Sequence, residues 1–191
     1  MDKSYSLVIL LPGLLWACAS VHHPKARIAS AQQNVDATAH VSSFSYSGNF
    51  FSPCEKNEVG WGMAELDFED KVLIITYTAY MDSECSEASL DVSVKEEAMI
   101  TYSPSQFGQD SYLVKAKRSR VSAMFGTNSV YGANMAKRYG LIDWSAGVYR
   151  DISESPQIKS NIGEVSTFIF RFEEDQICSG GKGESCYFRY K

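Results

Sequence analysis

The stretch Lys71–Met81, KVLIITYTAYM, restricts the fold more than any other segment of this chain. It is an unbroken run of β-branched, aromatic and aliphatic residues, which is strand composition. Both of its faces are rich in apolar or aromatic groups, so such a strand is covered on both sides or lines a filled barrel. Segments of similar character surround it. Phe44–Phe51 is predicted as a first strand, ended by Ser52-Pro53-Cys54, and Trp61–Phe68 as a second, turning at Glu69-Asp70. Leu90–Val94 and Ala98–Tyr102 are predicted as a hairpin over Lys95-Glu96-Glu97, and Ser111–Phe125 as a strand or two. Gly126–Gly140 changes character. Asn128 or Ser129 can cap a short helix whose apolar side is Val130, Tyr131, Met135 and Tyr139, stopped by Gly140. Asp151–Ser160 is a Pro-containing loop. Glu164–Phe172 alternates, with Phe168, Phe170 and Phe172 on one face and Ile169 and Arg171 on the other. Gln176–Tyr190 makes a last hairpin around Ser179-Gly180-Gly181-Lys182-Gly183. About eight short strands with one short helix describe an all-β antiparallel barrel or sandwich.

The chain before this region reads as an address and a tether. The apolar run Leu7–Ala17 is much shorter than the ~20 residues a membrane-spanning helix needs, and it fits the core of an export signal. Leu15-Trp16-Ala17-Cys18 is similar to the lipobox of bacterial lipoproteins, in which Cys18 is acylated and becomes the mature N-terminus. Cleavage after Ala17-Cys18-Ala19 by an ordinary signal peptidase is the competing expectation. Ala19 after the cysteine implies sorting to the outer membrane. Residues 19–43 are polar and Ala/Ser/Gln-rich, a flexible tether reaching roughly 25–30 Å as a coil. The expected organisation is therefore a signal peptide with its lipobox cysteine over 1–18, the tether over 19–43, and one β-domain over 44–191.

Cysteine and histidine usage narrows the chemistry. Setting Cys18 aside leaves Cys54, Cys85, Cys178 and Cys186, an even number in an exported chain, which implies two disulfides and no free thiol nucleophile. In an up-and-down arrangement Cys54 and Cys85 emerge at one rim, while Cys178 and Cys186 flank the Gly-rich tip of the last hairpin. Pairing Cys54 with Cys85 and Cys178 with Cys186 is favoured, and the two other pairings stay open. All three histidines, His22, His23 and His40, lie in the tether. The β-domain thus lacks Ser-His-Asp and Cys-His catalysis and nearly every catalytic zinc arrangement. No metal site and no cofactor is expected, and the chain reads as a non-enzyme. Its net charge of −5 makes nucleic acid a poor partner, because neutralising phosphate supplies most non-specific affinity. Lys115, Lys117, Arg118 and Arg120 form a local basic cluster that could meet lipid phosphates or serve as a solvated strand face.

Several segments resemble small exported bacterial calycin-like (lipocalin-like) domains. Tyr46-Ser47-Gly48-Asn49-Phe50 followed by Cys54 is similar to their opening G-x-W and cysteine, with Phe50 in place of the Trp. Tyr80-Met81-Asp82-Ser83-Glu84-Cys85 resembles their Y-x-D-x-x-C segment, and Gly140-Leu141-Ile142-Asp143-Trp144 a later G-x-x-D-W. The resemblance implies a calycin-like up-and-down barrel with a mouth for a small apolar ligand. It also implies that Arg189 of the last strand covers Phe50. Trp61, Tyr77, Tyr80, Trp144, Phe168 and Phe170 are the candidate cavity residues, and packed core is the competing role for them. The expected function is that of an outer-membrane lipoprotein, held to the membrane by its N-terminal lipid, that binds a small apolar or lipid-like ligand. The alternative is a protein-interaction module of the envelope, a hydrolase inhibitor or an assembly partner, using loops Glu55–Gly60, Ser103–Asp110 or Ser153–Ile162.

Overall fold

The structure is a computed structural model that describes residues 46–57, 60–106, 110–127, 129, 137, 139, 144–180 and 185–189. The export signal, Cys18, the tether and nearly all of the expected helix lie outside the described residues. Ten strands are described: β1 (Gly48–Phe51), β2 (Glu55–Asn57), β3 (Gly60–Glu69), β4 (Val72–Tyr80), β5 (Leu90–Pro104), β6 (Ser111–Phe125), β7 (Arg150–Asp151), β8 (Val165–Phe172), β9 (Gln176–Ser179) and β10 (Ser185–Arg189). All their pairings are antiparallel. The sheet runs β1-β10-β9-β8-β6-β5-β4-β3, and β1 also pairs with β3, so eight strands close into an up-and-down barrel. Closure leaves the eight with no free edge among themselves. The short β2 adds to β3 beyond the end of β1, and β7 adds to β6 beyond the start of β8.

The hairpin expected within Leu90–Tyr102 is overturned. Lys95-Glu96-Glu97 is not a turn, because β5 runs straight through it for 15 residues to Pro104. The hairpin lies instead between β5 and β6, itself a single 15-residue strand. A charged triplet marks a turn only when all three charges are solvated, and here Glu96 is buried against Arg118. The opposed position is where the two strands slip. Glu97 pairs with Arg120 and Ala98 with Arg118, leaving Ser119 as the extra residue of a bulge. The expected loop Glu55–Gly60 also contains β2. β6 pairs with both β5 and β8.

Both disulfides join the partners favoured from the sequence, Cys54–Cys85 and Cys178–Cys186. Cys54 follows β1 and Cys85 follows β4, two strands that run the same way, and the bond closes a 31-residue separation. Constraining a loop of that size in the unfolded chain is worth about 3–4 kcal/mol in a chain-entropy estimate. Cys178 and Cys186 face each other across β9 and β10. Two disulfides are compatible with an exported protein outside the cytoplasm.

Gly126 carries a sharper steric demand than Gly48, Gly60, Gly62, Gly147 or Gly163. A Cβ there would lie 1.7 Å from the carbonyl oxygen of Leu90, where the end of β6 meets the start of β5. Its amide donates to the Asp91 carbonyl at 2.9 Å, which fixes that approach. Gly126→Ala is expected to cost at least about 3 kcal/mol, the upper end for forced overpacking. Thermal unfolding measures this, and an unchanged midpoint would mean that the two strand ends can separate freely.

Candidate functional site

Pleat alternation and strand register sort every described barrel residue to the inner or outer face. Phe68 of β3 meets Phe170 and Phe172 of β8 from across the barrel, at 5.7 Å in both cases, which identifies the inner face. From there the register gives rows. Phe50, Leu66, Ile75, Glu96 and Val121 form one, and Ala64, Tyr77, Val94 and Ala123 form another. Beyond the Ser119 bulge the inward phase of β6 changes from Val114, Ala116 and Arg118 to Val121, Ala123 and Phe125.

The two ends of this interior differ. At the end of the β3–β4 turn, Tyr46, Phe50, Phe68, Phe170 and Phe172 pack edge-on, tilted or stacked within 4.4–6.5 Å of one another. Phe50, Phe68 and Leu73 there are at most 1 % exposed. Arg189 lies over the Phe50 ring, its guanidinium carbon 5.3 Å from the centroid, the contact that the resemblance implies. Nearby, burial pushes the Tyr102 phenol up to about 12. This end is an aromatic plug.

Farther along the barrel the inner face is not packed shut. Ile75, Tyr77, Val94, Ser166 and Phe168 all face inward, yet each keeps intermediate exposure. An inward side chain in a closed barrel keeps accessible surface only where neighbouring side chains do not fill the space beside it. Several of the inward residues around them are small: Gly62, Ala64, Ala79, Ala98, Ala116 and Ala123. Tyr77 reaches across toward β2, where the Asn57 side-chain amide donates to its hydroxyl. A Cβ on Gly62 would come within 2.5 Å of that hydroxyl, so the glycine is what lets the ring lie there.

The six candidate cavity residues therefore divide. Tyr77, Phe168 and Phe170 are on the inner face, and Phe168 and Phe170 stack at 5.7 Å. Trp61 and Tyr80 oppose each other on the outer face, alternating with inward Gly62 and Ala79. Trp144 packs edge-on against Phe125 at 5.3 Å, and its buried Nε1 has no hydrogen-bond partner among the described residues.

A polar group also sits in the interior. Arg118 is 4 % exposed and meets the Glu96 Oε2 through Nη2 at 2.8 Å and through Nε at 3.0 Å. Its backbone is pinned by pairing with Gly163 and Glu164, at 2.8 and 3.0 Å. Burial pushes the Glu96 carboxyl up from the usual carboxylate value, and the guanidinium pulls it back down. Ser166 of β8 lies on the same inner face. It opposes Ala116, two residues before Arg118 on the same face, and its buried Oγ has no hydrogen-bond partner among the described residues. Of the sequence's basic cluster, Lys115, Lys117 and Arg120 are exposed, while Arg118 belongs to the interior. Arg120 instead bridges outward to Asp151 at 2.9 Å. The sequence did carry a signal for Glu96. It falls in step with Val92, Val94, Ala98 and Ile100, so alternation alone puts it inside.

Among the described residues no three His, Cys, Asp or Glu side chains converge as a metal site. The chain matches no protein-family model and no curated protein. Barrel geometry and the chemistry of its interior are what bear on function.

Proposed function

We propose that this chain is an exported outer-membrane lipoprotein, anchored through Cys18, whose barrel binds a small, mainly apolar ligand without catalysis. One observation carries the binding role: inward-facing Ile75, Tyr77, Val94 and Phe168 keep accessible surface inside a closed barrel whose opposite end is plugged by aromatics. Ligand sites are concave and mostly apolar, with a few placed polar groups, and this interior has that composition. Among the described residues the plug leaves the end near Tyr77 and Gly62 as the way in. Acylation at Cys18 would hold the domain at a membrane surface, where apolar ligands are concentrated.

Native mass spectrometry of the protein purified gently from its own envelope tests this. A reproducible extra mass released by organic solvent is the expected result. A bare mass, with no binding of hydrophobic dye, would overturn it. The alternative, an envelope interaction module, draws support from outward Met99 and Val165. These are 51 and 57 % exposed and lie in one cross-strand row with Val72 and Lys117. Stoichiometric capture of an envelope protein, lost on Met99→Lys, is the result that would favour it.

A further inference from the structure

We propose that the outer wall of β5, β6 and β8 docks on an anionic lipid bilayer and so fixes which side of the barrel faces the membrane. The docking face rests on the membrane-anchored reading above and goes beyond it, because an acyl chain on a flexible tether selects no face. Three observations carry it. In the register Met99, Lys117 and Val165 form one outward cross-strand row, and Thr101, Lys115 and Thr167 form the next. All six are exposed, Met99 and Val165 by 51 and 57 %. Leu113 and Ile169 pair in the row beyond, so the apolar character continues along the wall. None of these positions is acidic, although the chain has 23 Asp and Glu against 18 Lys and Arg. Lys115 and Lys117 make no salt bridge among the described residues. The arginines on the same two strands are engaged, Arg120 by Asp151 and Glu97, and Arg171 by Glu173.

A bilayer with anionic headgroups is complementary to both parts of this wall. Lysine ammonium groups meet phosphates at headgroup level while their stems lie along apolar surface. Met99 and Val165, on either side of Lys117, reach the shallow apolar boundary beneath. Nucleic acid offers the phosphates but nothing to match the methionine and valine. The net charge of −5 does not set the field at this wall, because exposed charges beyond about 8 Å are largely screened at physiological salt. Glu97, the next outward residue of β5, is already met by Arg120 at 3.7 Å. Two lysines and a few apolar side chains make a weak contact by themselves. A tether raises the effective concentration of the domain at the surface, so a weak contact is enough to select one face.

The experiment reconstitutes the protein purified from its own envelope, with its N-terminal lipid, into two kinds of vesicle. One is phosphatidylcholine alone and the other is roughly one-third phosphatidylglycerol. Amine-reactive labelling read by peptide mass spectrometry then compares individual lysines. Lys115 and Lys117 are expected to react at least about fivefold more slowly on the anionic vesicles, with Lys56 of β2 unchanged. Raising the salt to about 0.5 M should restore their reactivity. The Met99→Asp/Val165→Asp variant should lose the protection, and both sites are exposed enough for the fold to accept the change. Equal labelling on the two vesicles, or protection that survives in the variant, would overturn the docking face while leaving the anchor standing. Protection supplied by a co-purifying envelope protein in the absence of vesicles would assign the wall to a protein partner and overturn the lipid assignment. A protein that associates with neither vesicle would overturn the anchor and the docking face together.

Discussion

Arg118→Met alone is expected to destabilise the protein by about 3–5 kcal/mol, and adding Glu96→Leu to the same chain is expected to restore most of that loss. The asymmetry follows from where the pair sits. Arg118 is 4 % exposed and its partner side chain 9 %, so neither ion has water to fall back on. Removing the guanidinium leaves a carboxylate stranded on the inner face between Ile75 and Val121, the residues opposite Glu96 in the register. Replacing both ions with apolar groups of similar volume removes two desolvation penalties along with one attraction. Denaturant titration of the wild type, both single variants and the double variant closes the cycle. A single-variant loss below about 1 kcal/mol would place the pair in solvent.

The pH dependence of that deficit has a fixed sign. Burial raises the Glu96 carboxyl above 4.5, so the folded protein holds this proton more tightly than the unfolded chain does. Its contribution to stability is therefore greatest in acid and declines as pH rises from 4.5 through the folded value. Without Arg118 the charge and hydrogen bond that lower this carboxyl are gone, and the folded value moves higher still. The Arg118→Met deficit should consequently be largest at neutral pH and shrink as the pH falls toward the wild-type folded value. A deficit that grows in acid would contradict the burial of Glu96.

Much of the barrel could be read from local pattern, because a closed antiparallel sheet is written in alternation and in turns. The runs at Trp61–Phe68, Lys71–Met81 and Glu164–Phe172 became β3, β4 and β8 with ends shifted by a residue or so. Alternation also put Phe168, Phe170 and Phe172 on one face. One limit is charge. Charge signals exposure at Lys95-Glu96-Glu97 and at Lys115–Arg120, although each stretch sends one charged side chain inward to meet the other. A pair of this kind hides from a strand-by-strand reading, since either ion alone would be too costly to bury and only the register shows that they meet. Trp61 and Tyr80 illustrate a second limit. Aromatic character marks a strand, but only the phase relative to Gly62 and Ala79 reveals which face it serves.

Phe68→Ala and Ile75→Ala should differ in cost although both remove large apolar groups from the same inner face. Phe68 is 1 % exposed and contacts Tyr46, Phe50, Phe170 and Phe172 within 6.5 Å, so truncation opens a cavity in a tightly interlocked plug. About 3–5 kcal/mol is expected. Ile75 keeps part of its surface accessible, so less transfer free energy is lost and the added space joins space that is already unfilled. About 1–2 kcal/mol is expected there. Urea titrations at constant m-value measure both. The difference bears on function, because it compares how tightly the two ends of one barrel are packed. Equal costs would mean that the interior around Tyr77 is as tightly packed as the plug, leaving no room for a ligand. A cost at Ile75 that is low and falls further when a bound hydrophobic dye is present would fit a cavity wall that the ligand completes.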